Sequence, residues 1–145
     1  MKIKKLEHVG IVVNDLPAAI EFFVHLGLEL RGEAQVEGSW VERIIAVEDP
    51  KVEIAMLRTP DGHGEIELAK FLSPPAQPGD SQAPANTPGL RHLAFLVDDV
   101  HALVEDLKAR NVELVGELVR YKDSYWLCYV RGPEGIIVEL AEEIG

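Results

Sequence analysis

Apolar and polar positions along the chain follow a rhythm that is stated twice. Over residues 6–13, LEHVGIVV, small or polar residues alternate with apolar ones before the run turns fully apolar, which suits a strand with one covered and one open face. Alternation puts His8, Gly10 and Val12 on one side and Val9, Ile11 and Val13 on the other. Asn14 or Asp15 then caps a helix with Pro17 in its first turn. Ala19, Phe22, Phe23 and Leu26 fall at i, i+3, i+4 and i+7 as one apolar stripe, and Gly27 stands where a left-handed residue ends a helix. Residues 28–36 read as a second strand. Ser39 and Glu42 have the spacing of a capping box, and Val41, Ile44 and Ile45 supply a stripe for a short helix within 39–47. Residues 52–58 form an apolar strand, Thr59-Pro-Asp-Gly62 a turn, and 64–71 a further strand with Glu65, Glu67 and Ala69 on one face.

The rhythm restarts at Leu90. LRHLAFLVDDV repeats LEHVGIVVNDL at a constant offset of 84 residues, pairing His8 with His92, Gly10 with Ala94 and Asp15 with Asp99. Asp99 caps a helix whose stripe is Val100, Leu103, Val104 and Leu107, and Asn111 replaces Gly27 as the left-handed cap. Residues 112–119, 125–130 and 136–141 read as strands. Each copy is therefore β-α-β-β-β, with an added short helix in the first. Residues 1–71 form the first module and 90–145 the second, in a single domain spanning 1–145. Between them, residues 72–89 hold five of the nine prolines and read as a linker.

Composition narrows the function. With 25 acidic against 14 basic residues the net charge is −11, which lacks the basic footprint that nucleic acid binding needs. No apolar run approaches the ~20 residues of a membrane span, and MKIKKLEHVG carries no apolar core of a signal peptide. The lone cysteine, Cys128, cannot form an intrachain disulfide, so a cytoplasmic protein acting on a small molecule is expected.

Chemistry concentrates at four repeat-related positions. The final strands read IELAKF after Pro-Asp-Gly and IIVELAEE after Pro-Glu-Gly, which makes Glu67 and Glu139 equivalents. Each module thus has a His on its first strand and a Glu on its last, with small residues (Gly10, Ala94, Ala69, Ala141) beside them. The separations, 59 residues from His8 to Glu67 and 47 from His92 to Glu139, differ because of the added helix. Two imidazoles and two carboxylates suit one divalent ion such as Zn²⁺, Ni²⁺, Co²⁺, Mn²⁺ or Fe²⁺. A carboxylate beside such an ion can move a proton.

The doubled HVGIVVNDL and HLAFLVDDV stretches, with their matching final strands, resemble the vicinal oxygen chelate superfamily over nearly the whole chain. That group holds glyoxalase I, methylmalonyl-CoA epimerase, extradiol dioxygenases, fosfomycin resistance enzymes and bleomycin-binding proteins. The resemblance implies an α+β fold in which paired βαβββ modules curve around a cavity, and a homodimer. It implies metal ligands at His8, Glu67, His92 and Glu139, a set similar to that of many bacterial glyoxalase I enzymes, in which a ligand glutamate is also the base. Glu67 or Glu139 would then be catalytic in a lactoylglutathione lyase-like isomerisation. An epimerase or an extradiol dioxygenase is the near alternative, and a metal-free antibiotic-binding protein the distant one. The short helix at 39–47 and the want of a recognisable glutathione-contact motif depart from glyoxalase I.

Trp40, Arg43, His63, Tyr121 and Trp126, with Tyr125, are candidates for the substrate pocket. Packing explains the aromatic residues equally well, and a surface ion pair explains Arg43 better. His25 and His101 read as surface residues, and Cys128 as a buried, inert thiol.

Overall fold

The computed structural model describes residues 1–145. The chain packs as two compact units, Met1–Pro78 and Gly79–Gly145, divided within the proline-rich segment. The architecture is α+β: mixed, open sheets with few helices.

The first unit runs β1 (Val9–Val12), α1 (Leu16–Leu26), β2 (Glu29–Glu37), α2 (Ser39–Ile45), β3 (Lys51–Arg58) and β4 (Glu65–Ser73). Its sheet has the order β1-β4-β3-β2, with β2, β3 and β4 antiparallel and β1 parallel to β4. A parallel neighbour needs a crossover rather than a hairpin, and α1 is part of that crossover. The expected caps of α1 are present: Asp15 accepts from the Ala18 amide at 3.0 Å, and Gly27 closes the helix at φ 117°. Leu16, Ala19, Phe22 and Phe23 are buried with Ala55, Leu57, Ile66 and Leu68 of the sheet. Full burial of side chains such as Phe23, Leu57 and Leu68 contributes about 1.5–3 kcal/mol each. Gly10, whose own face is open, lies opposite Glu67 in the parallel register.

The second unit repeats this with β5 (His92–Leu96), α3 (Val100–Ala109), β6 (Glu113–Leu114), β7 (Val119–Tyr121), β8 (Tyr125–Arg131) and β9 (Ile137–Glu143). Its sheet has the order β5-β9-β8-β6, and β7 also pairs with β8. Asp99 caps α3 through the Ala102 amide at 3.0 Å, and Asn111 takes the left-handed conformation at φ 66°. Ala94 lies opposite Glu139 as Gly10 lies opposite Glu67. Cys128 is a buried free thiol, and burial pushes its pKa up, as an inert thiol requires.

Three local expectations fail. Ser39 is not an N-cap: α2 starts at Ser39 itself, its cap is Gly38 at φ 108°, and no side chain caps it. Glu42 instead accepts from the Asp49 amide at 2.6 Å, beyond the end of the helix. The apolar stripe of α2 is also not covered. Val41 is buried, but Ile44 is 73% exposed and Ile45 39% exposed. The strand expected over 112–119 breaks at Val115–Leu118 into β6 and β7, because Val115-Gly116 interrupts the alternation.

Candidate functional site

Each unit brings its own His and Glu together. His8 lies just before β1 and two residues from Gly10, so it shares the open face on which Gly10 adjoins Glu67. His8 Nε2 and Glu67 Oε2 are 3.7 Å apart, with side chains 36% and 29% exposed. In the second unit His92 is likewise two residues from Ala94, which adjoins Glu139. His92 Nε2 and Glu139 Oε1 are 3.5 Å apart, at 37% and 22% exposure. The separations exceed the 2.7–3.2 Å of a good N–H···O bond. They are close to the roughly 3.0–3.4 Å between two donors on one ion with bonds of about 2.1 Å.

The surroundings of the two pairs differ. β8 presents Tyr125, Leu127 and Tyr129 on the Glu139 face, and Tyr129 is in register with Glu139. The Tyr129 hydroxyl lies 3.4 and 3.5 Å from Nδ1 and Nε2 of His92, with ring centroids 4.8 Å apart. Burial, then the charge of Glu139 and a hydrogen bond to that carboxylate, hold the Tyr129 phenol above its ordinary pKa. In the first unit Met56 occupies the corresponding place opposite Glu67.

Beside Glu139 a cavity of about 380 Å³ is lined by Ala94, Leu96, Tyr121, Tyr125, Leu127 and Ala141, with Phe95. Tyr121 and Tyr125 therefore line this cavity, and the Lys122 ammonium stands 5.4 Å from the Tyr121 ring centroid. Trp126 does not. It alternates onto the helix-covered face of β8 and packs edge-on against His101 at 4.7 Å. Trp40 is 57% exposed on α2, and Arg43 is exposed on the same helix. His63 is exposed in the β3–β4 turn, where Asp61 accepts from the Thr59 hydroxyl at 2.6 Å and the His63 amide at 2.9 Å. Those bonds, Thr59's first, lower the Asp61 pKa and fix the turn. Tyr129 and Leu127 escaped the sequence reading. The signal was available, because a buried Cys128 in mid-strand puts residues 127 and 129 on the opposite face.

A second cluster, Asp99, His101 and Glu142, has donor atoms within 4.8 Å of one another. Its chemistry is helix capping. Asp99 accepts from Ala102, Glu142 accepts from Val100 at 2.8 Å, and His101 packs on Trp126.

Each unit carries one copy of the same frame, with a His beside a Glu of the strand that pairs in parallel with its first strand, and this doubled βαβββ frame defines a class of α+β proteins. The chain belongs to the Glyoxalase/Bleomycin resistance protein/Dioxygenase superfamily, whose profile matches residues 7–129. It is similar to the crystal structure of a glyoxalase family protein from Bacillus cereus, at 47% identity and a TM-score of 0.96, covering 100% of this chain and 97% of that one. The protein YaeR of Escherichia coli (strain K12) is 32% identical, over 97% of this chain and 98% of its own. A 2-epi-5-epi-valiolone epimerase of an Actinomyces species is 32% identical, over 93% of this chain and 77% of its own. Members of the superfamily bind small molecules, are often enzymes and commonly use a divalent metal. No helix of this chain is long and apolar enough to cross a membrane.

Proposed function

We propose that the protein is a divalent-metal-dependent enzyme of the glyoxalase I type, moving a proton at a carbon next to a carbonyl. His8, Glu67, His92 and Glu139 together hold one ion: Zn²⁺, Ni²⁺, Co²⁺, Mn²⁺ or Fe²⁺. The observation that carries this reading is the spacing within each His–Glu pair, 3.7 Å and 3.5 Å, too long for a good hydrogen bond and near that of two donors on one ion. The donor chemistry fits as well, since two neutral imidazoles and two carboxylates are the ligand types such ions take. When bound, the ion supplies the positive charge that lowers the cost of enolate character in the substrate.

The chain's own residues do the rest. A glutamate carboxylate takes the proton as the C–H bond breaks, and the electron pair stays on the substrate as its enolate. The same carboxylate returns the proton to the neighbouring carbon, an isomerisation, or to the opposite face of the first, an epimerisation. His8 and His92 act as ligands. Ala94, Leu127 and Ala141 give the cavity an apolar wall that keeps water from the enolate, while Tyr121 and Tyr125 offer aromatic surface to a small-molecule substrate. The similarity to an epimerase supports the same proton chemistry and makes epimerisation the second reading.

Metal analysis tests the proposal. After loading with Zn²⁺, Ni²⁺ or Co²⁺ and removal of excess, about one equivalent per chain is expected. Less than about a tenth of an equivalent overturns the enzyme reading in favour of a metal-free binding protein.

A further inference from the structure

The open face of the second sheet changes from polar to apolar along its strands. Alternation and register set its side chains in rows. One row is Ala94, Glu139 and Tyr129, the next Leu96, Ala141, Leu127 and Val119, and the third Glu143, Tyr125 and Tyr121. Successive rows are two residues apart, so the two tyrosines stand about 13 Å along the strands from the Glu139 row. On the other side of that row the face is closed. Arg131, which follows Tyr129 on this face, donates to the carbonyls of Ser81 at 3.2 Å and Ala83 at 3.0 Å. Its register partner Ile137 is buried, as is Ala83. The cavity of about 380 Å³ takes the remaining direction, from Glu139 past Ala141 and Leu127 to Tyr125 and Tyr121. Its volume falls in the range of small-molecule pockets.

The charges on this face decide which small molecule it accepts. Its carboxylates are Glu139 and Glu143, one at each end of the apolar row. No lysine or arginine lines the cavity, and the Lys122 ammonium is engaged on the Tyr121 ring. A glutathione adduct carries two carboxylates on a polar tripeptide, which need cationic partners once desolvated. Here they would meet leucine, alanine and two acidic side chains. An uncharged apolar body fits the middle row instead. Tyr121 and Tyr125, directly opposite each other, offer aromatic surface to a flat ring at its far end.

We infer that Tyr121 and Tyr125 are specificity-determining residues, and that the substrate is a small carbonyl compound with an uncharged aryl tail rather than a glutathione adduct. This names the substrate class for the proton transfer proposed above, and it rests on that reading for which end of the molecule reacts, the end at Glu139. The tail lies over Ala141 and Leu127, and its ring meets the two tyrosines.

Amide chemical-shift titrations of the full chain, freed of metal with a chelator, test this. The probes are 4-phenylbutan-2-one, its cyclohexyl counterpart 4-cyclohexylbutan-2-one, butan-2-one and S-methylglutathione. The phenyl ketone is expected to bind about tenfold or more tightly than butan-2-one, with shifts centred on Tyr121, Tyr125, Leu127 and Ala141. It should also bind about threefold more tightly than the cyclohexyl ketone, although the latter is the more hydrophobic. Y121A and Y125A should each weaken the phenyl ketone about fivefold and leave butan-2-one unchanged. Tyr121 is half-exposed at the end of β7, so Y121A keeps the fold. Tighter binding of S-methylglutathione than of the phenyl ketone overturns the inference, as does equal binding of the phenyl and cyclohexyl ketones. Wild-type affinity for the phenyl ketone in both tyrosine variants also overturns it. None of these probes needs an ion, so failure of the protein to take up metal overturns the proposed function and leaves this result standing.

Discussion

The inner halves of the two modules are nearly the same object, and the outer halves are not. Both place a short strand parallel to the last strand, both put a small residue opposite the glutamate, and both cap the following helix with an aspartate. Beyond that frame they separate. The first unit has the nine-residue strand β2 and then the inserted helix α2. The second has a two-residue β6, a break, and a three-residue β7 on the same neighbour. Met56 in one becomes Tyr129 in the other. The repeat has kept the positions that orient a His and a Glu, and has changed those that decide what surrounds them. A scaffold can hold a donor pair fixed while its outer strands and loops diverge, and the variable part is where specificity is set.

The comparison breaks most strongly at the turn before each last strand. Both turns use a glycine at positive φ, Gly62 at 80° and Gly135 at 85°. A Cβ on Gly62 would meet nothing within 4 Å, whereas one on Gly135 would fall 2.1 Å from the Ser81 carbonyl oxygen. That segment is tied down: Arg131 donates to the carbonyls of Ser81 at 3.2 Å, Ala83 at 3.0 Å and Gly135 at 3.3 Å. Gly62→Ala should therefore cost only the left-handed strain, about 1 kcal/mol. Gly135→Ala must also displace a bonded loop and should cost about 3 kcal/mol or more. Urea unfolding of the two variants checks the order. Equal costs would mean that residues 81–83 do not pack on the turn in solution.

At the helix starts the effect is smaller. Asp15 supplies one side-chain acceptor to α1 through Ala18. The start of α3 receives two, Asp99 on Ala102 and Glu142 on Val100. In the first unit Lys70 lies near the corresponding point of the sheet and donates to the Asn14 carbonyl at 2.5 Å. Asp15→Ala should cost about 1 kcal/mol. The Asp99→Ala, Glu142→Ala double variant should cost about 2 kcal/mol, because two different amides lose their acceptors. A double variant no worse than Asp15→Ala would remove the second acceptor from the account and restore interest in Asp99, His101 and Glu142 as a ligand cluster.

How much of this was legible depended on whether a residue's surroundings were local. The pairing of His8 with Glu67 and of His92 with Glu139 followed from repeat position and strand alternation, which need no tertiary knowledge. The helices followed from stripe and cap, as at Asp15, Gly27 and Asp99. Tyr129 was missed because its meaning lies in the β8–β9 register, which pairs residues ten apart across the turn. Trp126 was misplaced because its chemistry, rather than its parity with Cys128, was followed. Ile44 and Ile45 were read, with Val41, as the stripe of a short helix on periodicity alone. A seven-residue helix at the end of a strand presents too short a face for that stripe to be covered.

The smallest effect belongs to α2, the element that the second unit lacks. Had Ser39 been a capping residue, Ser39→Ala would cost about 1 kcal/mol. No side chain caps this helix, and Gly38 holds the cap position at φ 108°, so Ser39→Ala should change stability by less than about 0.5 kcal/mol. Glu42 was the other half of the expected box, and it does bond a backbone amide, but that of Asp49 rather than that of the cap. Asp49 sits at φ 44°, and the helix ends at Ala46 with φ 57°, so the exit from α2 passes through two left-handed residues in quick succession. Glu42→Ala removes the acceptor that holds the second of these and should cost about 1 kcal/mol, more than Ser39→Ala. The reverse order in thermal or urea unfolding would mean that the helix is held at its start rather than at its exit. The expected order makes α2 a segment fastened at its C-terminal end, with Trp40 and Ile44 left exposed on its surface.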